Sequence, residues 1–179
     1  MPSYLGDYPN CATNREEKLP RAIESFLAQE IGELVVVADG CNKTAEIASK
    51  YPVTIISIDK QPFFSGVPRN TGIQAAKYNY IAYLDNDDMF GANHLKRIAD
   101  NLDADWLYWN DYVNGKVRPV SLEFGHIGTS AIAHKKDLNC KWGDGYGHDW
   151  EFIQQLKNYF SKQITTNYQV MHIPNVIDK

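Results

Sequence analysis

The chain has 179 residues, 44% hydrophobic and 22% charged, with a formal net charge of −4. That length builds one sizeable core rather than two. The charge excludes the broad basic face of a nucleic-acid-binding module, and no apolar run reaches the roughly 20 residues of a membrane span. Cys11, Cys41 and Cys140 are widely spaced, with no Cys-x-x-Cys or His-rich companion. They read as reduced cytosolic thiols, neither a disulfide framework nor a zinc site.

Pro20 suits a first helical turn, and Ile23, Phe26 and Leu27 line one face after it. The run Leu34–Ala38 predicts a strand, and Asn42 is the N-cap expected for a helix carrying Ile47, Ala48 and Tyr51. A second strand is expected at Val53–Ile58. Pro68 opens a third helix with Ile73 and Ala76. The strand Tyr80–Leu84 comes next, then a helix striped by Leu95, Ile98, Ala99 and Leu102, then the strand Trp106–Trp109. These four strands read as buried on both faces. The alternation predicts an α/β fold whose mainly parallel sheet is flanked by helices.

The last third reads differently. A strand is expected at Ser130–Ala133. The glycine-rich loop Trp142–Gly147 follows, then a helix bearing Phe152, Ile153, Leu156 and Phe160, and a short closing strand at Gln169–Ile173. No repeat or linker marks a second domain, so residues 1–179 are taken as one domain, with halves at 1–111 and 112–179.

The strand Tyr80–Leu84 ends in Asp85-Asn86-Asp87-Asp88. In extended backbone Asp85 and Asp87 share a side and Asp88 points opposite. Like charges that close call for a cation between them, and a hard divalent ion bridging to phosphate oxygens is the usual answer. N-capping accounts for one such acid, not three. Ligands in an open α/β sheet sit beyond the carboxyl ends of strands, which puts Asp39 on the same rim.

Five segments in order resemble the GT-A glycosyltransferases of inverting family 2. Leu19–Gln29 is similar to that family's first helix, and Val35–Thr44 resembles its acidic Asp-Gly turn. Arg69-Asn70-Thr71-Gly72 matches its R-N-x-G, Leu84–Asp88 its D-x-D signature, and Gly147-His148-Asp149-Trp150 resembles its G-E-D-aromatic motif. The resemblance implies a nucleotide-diphospho-sugar transferase of Rossmann-like GT-A fold. It also implies an Mn²⁺ or Mg²⁺ cofactor, a nucleotide-sugar donor with UDP as the expected carrier, and a saccharide or glycolipid acceptor in polysaccharide or glycoconjugate synthesis. By the same resemblance Asp39 receives the uracil ring N–H, Ser3 and Tyr4 line the base and ribose pocket, and Asp85 lies near the ribose. Asp87 is the principal metal ligand, Arg69 holds the nucleotide or diphosphate, and Asp149 takes the acceptor's proton. His172 is the late histidine that reaches metal or diphosphate.

Each residue also has a plainer reading. Asp39 before Gly40 forms turns, Arg69 and Asp149 suit solvated helix starts, and His172 in an apolar run suits a core. Trp142 and Tyr146 serve either as sugar-stacking rings or as loop anchors. Three departures from the family pattern stand out. Ala38 replaces the first acid of the turn, and His148 stands where Glu is usual. Before Pro2-Ser3-Tyr4 the family's Val/Ile-rich first strand is absent, a gap that another segment or a homo-oligomer partner would fill. A cytoplasmic site, or a peripheral one at the inner membrane face, is expected. The alternatives are a degenerate scaffold protein and a nucleotidyltransferase, the latter disfavoured because Met1–Arg15 holds no glycine-rich phosphate loop.

Overall fold

Side chains alternate along the strands and divide the interior into two apolar cores, one on each side of the sheets. The structure, a computed structural model, describes residues 1–7, 13–62 and 64–171. Its strands are β1 (Pro2–Ser3), β2 (Val35–Asp39), β3 (Thr54–Ile58), β4 (Tyr80–Ala82), β5 (Met89–Phe90), β6 (Trp106–Trp109), β7 (Asp111–Val113), β8 (Lys116–Arg118), β9 (Ile132–Lys135), β10 (Ser161–Ile164) and β11 (Tyr168–Val170). Its helices are α1 (Arg15–Leu27), α2 (Asn42–Ala48), α3 (Gly66–Ala75), α4 (His94–Ala99) and α5 (His148–Leu156). Leu107 and Trp109 of β6 join one core with Val36, Leu19, Ile23 and Ile98. Trp106 and Tyr108, one residue out of phase, join the other with Ile132, Phe152 and Leu156.

Three ladders carry the strands: β1-β2-β3, β10-β6-β9-β4 and β5-β11-β7-β8. The first is parallel throughout, with Met1 O accepting from Val37 N and the Met1 amino group donating to Val35 O, both at 2.9 Å. The α/β class and flanking helices are as expected, but the sheet is more mixed than the βαβ rhythm predicts. Strand β9 lies antiparallel between β4 and β6, inserted from late in the chain. A two-residue strand, β1, forms at Pro2–Ser3 itself and pairs with Val37 and Ala38 of β2. At β7–β8 the turn is Asn114-Gly115, both at positive φ, the pairing that closes a two-residue hairpin.

Other boundaries shift for local reasons. Helix α1 begins five residues before Pro20, which sits inside it. Cys41 rather than Asn42 caps α2, and Gly66 rather than Pro68 opens α3. Strand β3 is half-exposed along its length, because it is the edge of its ladder rather than a doubly covered strand. Leu102 and Phe160 fall outside their helices and are exposed. The expected strand at Ser130–Ala133 is a 3-10 turn, Thr129–Ala131, running into β9. Of the closing strand, Tyr168–Val170 is present, and His172 and Ile173 lie outside the described residues.

A polar chain ties β9 to the loop before α5. Trp142 Nε1 donates to Tyr83 Oη at 2.8 Å, Tyr83 Oη lies 2.6 Å from His134 Nε2, and His134 Nδ1 lies 2.9 Å from Lys135 O. A carbonyl only accepts, so Nδ1 carries the proton and Nε2 accepts from the tyrosine. Burial lowers the His134 pKa to about 4. A depressed histidine leaves stability intact above its unfolded value near 6.5 and lowers it progressively as pH falls from there to about 4. Urea unfolding of wild type should lose about 2 kcal/mol more than His134→Gln between pH 7 and 5. Equal losses in the two proteins would remove His134 from the acid response.

Candidate active site

Strands β2 and β4 deliver their acids to one rim, and the backbone there is bent, not extended. Asp88 N donates to Asp85 O at 3.2 Å, closing a turn over Asp85–Asp88. Arg21 Nη2 holds Asp87 O at 2.7 Å, and Asn86 Nδ2 donates to Ser3 Oγ at 3.0 Å. Ser3 in turn shares a hydrogen bond with Thr44 Oγ1 at 3.1 Å. Ser3 is therefore buried as a strut between β1, α2 and the acidic turn, with its hydroxyl already engaged.

The three acids of the turn have separate surroundings. Asp88 is buried under β11, accepting from Met171 N at 2.8 Å and Tyr168 Oη at 3.1 Å. Desolvation, then the nearby Asp85 charge, pushes its pKa up to about 8. It is a packing acid, bound to β11 and turned to a different partner from Asp85. Asp85 faces Arg69, Oδ1 to Nη2 at 3.9 Å. Burial raises its pKa against the pull of Arg69, and the nearby Asp87 and Asp149 charges raise it further. Asp87 lies at the turn's partly exposed corner.

Among the described residues no three His, Cys, Asp or Glu side chains converge as cation ligands. His172, the other expected ligand, lies outside the described residues. The donor set nevertheless fits one kind of ion: Mg²⁺-like cations commonly take one or two carboxylates and complete their shell with substrate phosphates and water. Asp87 can supply such a carboxylate; beside it, burial first and then the Asp87 and Asp149 charges disfavour the charged form of Asp85 against the pull of Arg69.

Asp39 closes the other end of the rim. Its carboxylate accepts from Lys60 Nζ at 2.8 Å and Gln61 N at 2.7 Å. Lys60 Nζ also lies 4.5 Å from the centre of the Tyr4 ring, so Tyr4, Lys60 and Asp39 form one group. The close approach needs Gly40, whose φ is +61° and where a Cβ would stand 2.4 Å from Lys60 Cβ and 2.6 Å from its Cα. Reading the sequence missed Lys60, although its place just past β3 puts it on the rim.

Arg69, in the first turns of α3, joins the rim to the loop before α5. Its guanidinium stacks 4.8 Å from the Trp142 ring, and its Nη1 lies 2.9 Å from His148 Nε2. Arginine only donates, so His148 Nε2 accepts and Nδ1–H donates to Gly145 O at 3.0 Å. His148 is thus an orienting group between Arg69 and α5, and its Nε2 also lies 3.4 Å from Asp149 Oδ1. Asn70 clasps the same loop, donating to Trp142 O at 2.8 Å and accepting from Trp142 N at 3.0 Å. Val67 N donates to Asp144 Oδ1 at 3.1 Å, and a Cβ on Gly66 would meet Gly143 O at 2.2 Å. The R-N-x-G run is the socket in which the loop before α5 sits.

Trp142 is a loop anchor: it is buried and stacks on Phe152 at 4.0 Å and 4°. Tyr146 is 86% exposed and free to meet a ligand. Asp149 stands in the first turn of α5 after Gly147, where the helix dipole favours negative charge. Thr129 Oγ1 donates to its Oδ1 at 2.5 Å. No motif marks Thr129 in the sequence; the 3-10 turn brings it there from across the fold.

Known proteins resemble this chain in sequence and in fold. The succinoglycan biosynthesis protein ExoO of Rhizobium meliloti is 38% identical over 99 residues, covering 52% of this chain and 28% of ExoO. The poly(ribitol-phosphate) beta-N-acetylglucosaminyltransferase TarP of Staphylococcus aureus is 31% identical over 119 residues, covering 60% of this chain and 36% of TarP. The chain thus spans only about a third of the length of these relatives. The crystal structure of S. aureus TarS residues 1–349 with UDP-GlcNAc superposes with a TM-score of 0.75 at 18% identity, over 96% of this chain and 57% of that one, which shows a shared fold. The model of glycosyl transferase family 2 matches residues 11–172, nearly the whole sequence, and the chain belongs to that family.

Proposed function

We propose that this chain transfers a sugar from a nucleotide-sugar, with UDP as the carrier, to a hydroxyl of a saccharide or glycolipid acceptor, inverting the anomeric carbon. The observation that carries the reading is Asp85 facing Arg69 within electrostatic reach of Asp87 and Asp149, with Asp39 following Ala38, the partner of the Ser3 that holds the same acidic turn. UDP-GlcNAc in the TarS crystal and the N-acetylglucosaminyl transfer in TarP's name support the donor class. ExoO's part in succinoglycan biosynthesis supports a polysaccharide product. Residues 1–111 form the donor side in this reading and 112–179 the acceptor side.

At the donor end each Asp39 oxygen keeps a lone pair beyond those used by Lys60 and Gln61, enough to accept a uracil ring N–H. The Tyr4 ring offers its face to the base in place of the Lys60 ammonium. Ser3 acts indirectly, by holding Asn86 and so the acidic turn. Asp85 and Arg69 lie where ribose and diphosphate follow the base. A divalent Mn²⁺ or Mg²⁺ ion, held by Asp87 and diphosphate oxygens, would neutralise charge on the leaving group.

Chemistry then takes place between Arg69 and Asp149. Asp149 accepts the proton of the acceptor hydroxyl as its oxygen bonds to the anomeric carbon. The bond from that carbon to the diphosphate breaks on the opposite side, UDP leaves, and the configuration inverts in one displacement. Thr129 orients the base, and Tyr146 stands exposed on the loop beside it to stack on the acceptor ring.

Initial rates of UDP release from UDP-GlcNAc, with water as acceptor when no sugar is supplied, test the assignment. Asp149→Asn should lower kcat by roughly 10²–10⁴-fold and leave UDP affinity within about twofold. A wild-type rate in that variant would remove Asp149 as base. Thr129→Val should lower kcat on the order of 10-fold at unchanged donor KM, since it disturbs orientation alone. Tyr146→Ala should raise acceptor KM by about 10-fold and spare donor hydrolysis; an unaltered acceptor KM would return Tyr146 to a surface role.

A further inference from the structure

Exposed aromatic rings gather where α5 begins. Phe64 is 47% exposed, Phe124 58% and Tyr146 86%. They come from three segments distant in sequence and meet at the stretch Tyr146–Trp150. The Phe64 ring lies 5.3 Å from the His148 imidazole. Phe124 covers Gly147, where a Cβ would stand 3.5 Å from its ring, and it meets Trp150 edge-on at 6.3 Å. Trp150 is itself fixed, packed against the second core with Lys157 Nζ 4.2 Å from its ring centre. Asp149 belongs to the same stretch, and its side chain is 37% exposed. Open aromatic surface concentrated around a reachable carboxylate marks a binding face rather than scattered surface residues.

Charge narrows what that face can take. Residues 121–128 and 142–151 carry Glu123, Asp144, Asp149 and Glu151 and no lysine or arginine. Arg69 is already engaged by Asp85, Trp142 and His148, and Lys157 donates to Leu122 O at 3.1 Å. A polymer with a phosphate in every repeat needs free cations and would meet like charge here. A sugar needs the opposite, an aromatic ring for its apolar C–H face and carboxylate oxygens for its hydroxyls. One sugar ring has two faces, so three open aromatic rings are more than a single sugar covers. We infer, taking Asp149 as the base of the proposed transfer, that the acceptor is an uncharged oligosaccharide that lays at least two sugar rings along Phe64, Tyr146 and Phe124.

Saturation-transfer NMR titrations of the 179-residue chain, without donor, test this with four probes: glucose, cellotetraose, maltotetraose and a poly(ribitol phosphate) oligomer. At least one tetraose should bind about 10-fold or more tightly than glucose, and the phosphate oligomer more weakly than that tetraose. Phe124→Ala, at an exposed position that spares the core, should weaken the tetraose by about 10-fold. Tighter binding of the phosphate oligomer, no tetraose preference over glucose, or an unchanged affinity in Phe124→Ala would overturn the assignment. UDP release from UDP-GlcNAc separates this from the transfer itself. Tetraose binding by a chain that releases no UDP would remove the transferase reading and leave the oligosaccharide face; release and transfer to a single sugar, unaffected by Phe124→Ala, would keep the transferase and remove the extended acceptor.

Discussion

A buried cation in contact with three different elements organises the rest of this cleft. Arg69 faces Asp85 on the acidic turn, stacks on Trp142 and donates to His148 at the start of α5. A guanidinium so deeply placed is stable only where anions and acceptors surround it. That requirement holds the acidic rim and the loop before α5 at one separation, with His148 Nε2 accepting from the guanidinium. A lysine, a point charge without the planar fork, would not make the three contacts together.

The acidic turn shows how similar side chains come to differ. Asp88 goes under β11 to Tyr168 and Met171, where burial favours its protonated form. Asp87 stays at the open corner and is the one able to meet a cation. Asp85 remains against Arg69. Their roles are set by which way a four-residue turn throws each carboxylate, and the struts Arg21, Asn86 and Ser3 hold that turn in place.

Much of this was legible in the sequence where one interaction dominates. The run Leu34–Ala38 is apolar because β2 is covered on both sides, and its buried pattern declares a central strand. The motifs around Asp39, Arg69 and Asp149 survive as local chemistry close to helix and strand ends. What stayed hidden depends on contacts distant in sequence. Strand β3 looks as apolar as β2, yet its exposure follows from being an edge. The insertion of β9 between β4 and β6 leaves no periodicity to read. Thr129 reaches Asp149, and Lys60 reaches Asp39, only once the fold is formed. Pro20 misled because tertiary packing of Leu19, Ala22 and Ile23 holds a helix through it.

Equilibrium binding of UDP to wild type and to Asp87→Ala, each with Mn²⁺ and with chelator, tests the central claim most directly. The account requires saturable binding by wild type with the ion, and a loss of at least about tenfold in affinity on removing either the ion or the Asp87 carboxylate. Undiminished binding by Asp87→Ala, or none by wild type at millimolar UDP, would contradict it.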